Sequence, residues 1–67
     1  MRTYEYPLGT TFRASTPEHA AARAFGGKPS DYIAVEKSRE RDGEVDTWIE
    51  VCSSKTGMFE GDIDIVR

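Results

Sequence analysis

Hydrophobic and polar positions change period along the chain, and the change divides it into elements. Tyr4, Tyr6 and Leu8 alternate with Thr3, Glu5 and Pro7, and Thr11-Phe12-Arg13-Ala14 alternates again, which is the period of a strand. The Pro7-Leu8-Gly9 stretch between them either makes a tight turn, giving an N-terminal hairpin, or kinks one long edge strand. The single interrupted strand is the favoured of the two, and the hairpin stays open. From Thr16 to Gly26 the period becomes helical. Thr16 suits an N-cap, Pro17 the first helical position and Glu18 the positive end of the helix dipole, while Gly26-Gly27 stop the helix ahead of Pro29. At 100° per residue Ala20, Ala21, Ala24 and Phe25 share one arc, and Glu18, His19, Ala22 and Arg23 the other. So short a helix is marginal alone, so a sheet must hold it.

Three further strands follow. Tyr32-Ile33-Ala34-Val35-Glu36-Lys37 is rich in β-formers, and Thr47-Trp48-Ile49-Glu50-Val51-Cys52 is its return partner. Between them lies a charged segment, Ser38 to Glu44, whose Asp42-Gly43 is a strong hairpin-turn signal. Ser53 to Gly57 turns the chain into a last strand, Met58 to Val66. The predicted fold is α+β: one short helix on one face of a four- or five-stranded, mainly antiparallel sheet in the order β-α-β-β-β. Parity assigns Ile33, Val35, Ile49, Val51, Ile63 and Ile65 to the helix-covered face. The other parity places Tyr32, Ala34, Glu36, Trp48, Glu50, Cys52, Glu60, Asp62 and Asp64 on a face that no second helix covers.

Composition narrows the picture. A chain of 67 residues buries one small core, so a single domain spanning 1–67 is expected and a cleft between lobes is not. No apolar run approaches the ~20 residues of a membrane-spanning helix, and the first residues lack a signal-peptide stretch. With a single cysteine, Cys52, no internal disulfide or paired-thiol zinc site forms, and the expected compartment is cytoplasmic. Net charge is −3, and it is uneven. Residues 1–28 hold Arg2, Arg13, Arg23 and Lys28 against Glu5 and Glu18, whereas residues 29–67 hold five basic side chains against ten acidic ones. Direct nucleic-acid binding is therefore not expected, since that needs a net basic face. The acidic half suits a protein partner with a basic surface, or simply solubility.

The candidate site is the uncovered face. Glu60, Asp62 and Asp64 at spacing two recur every ~6.6–6.8 Å, comparable to phosphates along a nucleic-acid strand. The same positions also suit solvated charges that deter edge-to-edge pairing. Trp48 and Tyr32 are candidate interface anchors, or else a minor core in which Trp48 packs over Ala34 and the N-terminal tyrosines. Glu50 completes the partner-binding set of Tyr32, Trp48, Glu50, Glu60, Asp62 and Asp64. The hairpin charges Lys37, Arg39 and Arg41, interleaved with Glu36, Glu40, Asp42 and Glu44, form either a projecting finger or a ribbon of cross-strand ion pairs.

Catalysis finds little support. The one histidine, His19, and Cys52 fall on opposite sides of the expected sheet, so no nucleophilic dyad forms. Gly26-Gly27-Lys28 follows a helix instead of opening one, and Lys55-Thr56-Gly57 lacks the companion motifs of penicillin-binding enzymes. Asp62-Ile63-Asp64 lacks the further ligands of a calcium loop. No cofactor, metal or enzymatic activity is expected.

The run Phe12 to Ala21 followed by Asp31 to Glu36 resembles a strand–helix–strand unit of small phage and prophage proteins, among them compact anti-CRISPR inhibitors. That resemblance covers about two thirds of the chain and rests on layout and size. It implies a non-enzymatic inhibitor that blocks a nucleic-acid-handling complex, in some cases by imitating DNA. The basic N-terminal half departs from uniformly acidic mimics. The alternative is a nucleic-acid-associated module using Arg13, Arg23, Lys28, Arg39 and Arg41. A homodimer formed through an unpaired terminal strand is also open.

Overall fold

A computed structural model describes all residues, Met1–Arg67. The elements are β1 (Arg2–Glu5), β2 (Thr11–Ala14), α1 (Pro17–Phe25), a short 3₁₀ turn (Pro29–Asp31), β3 (Tyr32–Arg41), β4 (Glu44–Ser53) and β5 (Phe59–Val66). All five strands form one sheet in the order β2-β1-β5-β4-β3, and every neighbouring pair is antiparallel. With α1 on one face this is the α+β arrangement expected. No helix is long and apolar enough to cross a membrane.

The helix forms where its capping residues place it. Thr16 is extended, and its hydroxyl accepts the His19 backbone N–H at 3.1 Å, satisfying a donor that the first turn leaves free. At the other end the Gly26 N–H donates to the Ala22 carbonyl at 2.8 Å. Ala20 and Ala21 are fully buried, and together with Tyr4, Ala14, Ile49, Val51 and Ile63 they make the core. Small alanine side chains bring the helix close to the strands. Phe25 anchors its C-terminal end, with its ring 4.8 Å from Tyr6 and 6.1 Å from Tyr32. Beneath that ring lies Gly61, where an added Cβ would stand 2.9 Å from Phe25 Cζ.

Three expectations are corrected. Residues 2–14 form a hairpin, not one interrupted strand: Arg2 pairs with Ala14 and Glu5 with Thr11, across a turn in which the Thr10 N–H donates to the Pro7 carbonyl. The charged segment Ser38–Arg41 does not link strands but continues β3, and Glu44–Asp46 likewise begins β4, so the hairpin is two full ten-residue strands.

The third correction concerns β3, whose faces are reversed. Ile33 and Val35 lie away from the helix and are 51% and 47% exposed, while Tyr32, Ala34 and Glu36 stand on the helix side. The turn is the cause. Asp42 and Gly43 both take positive φ, 51° and 80°, the two-residue turn that Asn/Asp-Gly favours. A two-residue turn pairs Arg41 with Glu44, and from there Glu36 faces Ile49 and Ala34 faces Val51. Odd positions of β4 thus share a face with even positions of β3. The core loses two branched side chains and gains Ala34, which gives the helix room.

Candidate functional site

Alternation from the buried residues defines the uncovered face strand by strand. Because Tyr4, Ile49, Val51 and Ile63 point under the helix, Glu5, Trp48, Glu50, Asp62 and Asp64 point the other way. The register then brings them together. Glu5 stands opposite Asp64, Asp64 opposite Trp48, and Asp62 opposite Glu50. Asp62 and Asp64 are successive outward positions of β5, so four carboxylates occupy adjoining places on three neighbouring strands. None lies within ion-pair distance of a basic side chain, since the one salt bridge in the protein joins Arg2 to Glu36 on the helix side. Like charges directly opposed in a sheet oppose its stability. Partial relief comes at Glu5, whose carboxylate accepts the Gly9 N–H at 2.8 Å.

Of the six residues singled out in the sequence, Trp48, Glu50, Asp62 and Asp64 come together as expected. Tyr32 does not join them. Its ring packs beside Phe25 on the helix side, and its hydroxyl donates to the Gly26 carbonyl at the end of α1. It therefore fastens the helix terminus instead of anchoring a partner. Glu60 breaks the expected row of three. The β4–β5 register shifts between Val51 and Cys52, which pair with Gly61 and Phe59, leaving Glu60 as the additional residue of a bulge. Glu5 joins the group without any signal in its spacing: an N-terminal edge strand would hold it apart, whereas β1 lies next to β5.

Trp48 is half-buried without a minor core beneath it, since Ala34 and Tyr4 face the helix. Instead the Arg39 guanidinium lies 5.9 Å from its ring centroid, a cation–π arrangement. A groove runs past this pair, lined among others by Arg39, Asp46, Trp48, Asp62, Asp64 and Arg67. The acidic field and the aromatic ring therefore border one concavity. On the far side of the acids lies an apolar strip: Phe59 opposite Cys52, and Cys52 opposite Ile33, with Val35 beside it across from Glu50.

The other sequence candidates separate. Of the hairpin charges only Glu36 enters an ion pair, with Arg2 at 2.6 Å, so the ribbon of cross-strand pairs is not formed. That contact holds the Glu36 carboxyl below its ordinary value, mainly through the Arg2 hydrogen bond. Arg13, Arg23 and His19 line a second, smaller cleft between β2 and α1, with Arg23 5.4 Å from the Phe12 ring centroid, while Arg39 and Arg41 sit on the distant hairpin. The five basic residues thus form no single patch. Cys52 is a free thiol on the uncovered face, opposite the helix that carries His19. No group of three or more His, Cys, Asp or Glu is placed to hold a metal ion. Compared with protein-family models, with curated proteins and with solved structures, the chain matches none.

Proposed function

We propose that the protein is a non-enzymatic binding protein whose uncovered sheet face engages a basic surface on a protein partner. The observation that carries this reading is the block formed by Glu5, Glu50, Asp62 and Asp64, adjoining across three strands and unpaired with any cation. A sheet gains nothing in stability from such an arrangement. A partner's Lys and Arg side chains would neutralise it, and complementarity of this kind raises association rate and specificity. Trp48, bordering the block beside a groove, supplies the aromatic contact that interface centres favour.

Basic surfaces that accept such a face are common in proteins that handle nucleic acid, because neutralising phosphates requires them. The reading therefore extends to an inhibitor that occupies a nucleic-acid channel, in the manner of the phage proteins the strand–helix–strand layout resembles. A basic module acting directly on nucleic acid is less well supported, since its arginines are divided between two ends of the molecule.

An arginine-rich peptide and a DNA duplex, titrated separately at low salt, test the proposal. The peptide is expected to perturb Trp48 fluorescence and the Glu50, Asp62 and Asp64 amides, and the duplex to perturb nothing. Combining Glu50→Gln, Asp62→Asn and Asp64→Asn should weaken peptide binding by about tenfold or more, roughly 1.4 kcal/mol, while leaving the fold intact. Unchanged peptide affinity in that variant, or duplex binding through Arg13 and Arg23, would overturn it.

A further inference from the structure

The β3 edge departs from the way exposed edges are usually protected. Edge strands carry charges, prolines or bulges near their open backbone. β3 meets that rule from Glu36 onward, but its first four residues, Tyr32-Ile33-Ala34-Val35, carry no charge, no proline and no bulge. Ile33 and Val35 stand half exposed there, and nothing pairs with the strand on its outer side.

The backbone groups that this edge offers follow from the hairpin turn. A two-residue turn makes Arg41 and Glu44 a hydrogen-bonded pair, so odd residues of β3 direct both backbone groups to β4 and even residues direct theirs outward. The phase agrees with two bonds further along: the Ser54 N–H reaches the Asp31 carbonyl, and the Ser53 N–H turns the other way to Met58. Ala34 and Glu36 therefore present both N–H and C=O to the outside. Tyr32 presents its carbonyl alone, because its N–H already donates to Pro29.

We propose that this edge pairs with the same edge of a second copy, antiparallel, about a two-fold axis through Ala34. Side-chain complementarity selects the register. Centring the axis on Glu36 sets Glu36 against its own copy, centring on Lys37 sets lysine against lysine, and centring on Ser38 sets Lys37 against Arg39. All three oppose like charges. Centring on Val35 places Ile33 against a lysine. Centring on Ala34 places Ile33 of each copy against Val35 of the other. Glu36 then stands opposite Tyr32 of the other copy and not opposite a like charge. The two Ala34 N–H groups reach the facing Ala34 carbonyls, and the two Glu36 N–H groups reach the Tyr32 carbonyls. Such pairing joins two five-stranded sheets into one of ten strands, and a two-fold normal to the sheet keeps both acidic faces on the same side. This inference does not depend on the binding role proposed for that face.

Sedimentation velocity across a concentration series, with amide hydrogen exchange on the unmodified chain, tests it. The chain is expected to shift from monomer to dimer as concentration rises, with Ala34 and Glu36 amides gaining protection in parallel. Val35→Lys should raise the dimer dissociation constant by about tenfold or more, as a charge replaces an apolar cross-strand contact. Ala34→Pro should abolish the dimer while sparing the β3–β4 ladder, because the lost N–H points away from β4. A monomer at every concentration, or a dimer indifferent to Val35→Lys whose Ala34 and Glu36 amides exchange freely, would overturn the proposal.

Discussion

The two faces of the sheet are built from the same strands and do opposite work. On the helix side, Tyr4, Ile49, Val51 and Ile63 are sealed from water by an alanine-rich helix. On the other side the neighbouring residues are Glu5, Glu50, Asp62 and Asp64, together with Ile33 and Val35 in contact with solvent. Adjacent residues on one strand thus differ in whether they hold the protein together. Burial of a branched side chain supplies a few kcal/mol, whereas opposed carboxylates on a wet surface subtract a little. In a domain this small, positions that contribute nothing to stability are the ones free to serve a partner.

The contrast is sharpest between Ile49 and Val35. Truncating the buried one, Ile49→Ala, should cost about 2–5 kcal/mol, from lost transfer energy and the cavity left behind. Val35→Ala, at 47% exposure, should cost no more than about 0.5 kcal/mol in dilute monomer. Chemical denaturation of both variants measures the difference, and similar losses would mean that the uncovered face is itself packed.

A smaller effect is expected at Gly61, where the helix comes closest to the sheet. Gly61→Ala puts a methyl group 2.9 Å from Phe25 Cζ and 3.3 Å from Cε1. Overpacking of this kind costs about 1–3 kcal/mol. Combining Gly61→Ala with Phe25→Leu should cost less in thermal melts than the sum of the two single losses, because the ring is what the methyl meets.

The smallest effect belongs to the exposed ion pair that spans from β1 to β3. Arg2 holds the Glu36 carboxyl below its ordinary value of 4.5. The stability it contributes is fully present above that value and disappears as pH falls through the lower, folded one. Arg2→Ala should therefore lower the denaturation midpoint slightly at neutral pH and not at all in strong acid. Both side chains are about half exposed, so added salt should shrink the gap further.

How far the sequence reached is seen by comparing α1 with β3. The helix was readable to the residue, because Thr16, Pro17 and Gly26 act through local backbone hydrogen bonds. The turn at Asp42-Gly43 is equally readable, and it overrides the alternation of β3, because a two-residue turn shifts the facing strand by one parity. Hydrophobic alternation favoured Ile33 and Val35 inward, and turn geometry prevailed. Tyr32 followed the same reversal from the expected binding face to the helix terminus.

Local chemistry was thus enough to determine the α+β class, the bounds of the helix, the hairpin turn and the acidic character of the second half. Only the tertiary arrangement decided that β1 lies beside β5, bringing Glu5 to Asp64, and that a bulge sets Glu60 apart from Asp62. Neighbours in a sheet are chosen by how distant segments share one core. Capping and turn residues act within a few positions along the chain and carry no record of which strand will lie alongside.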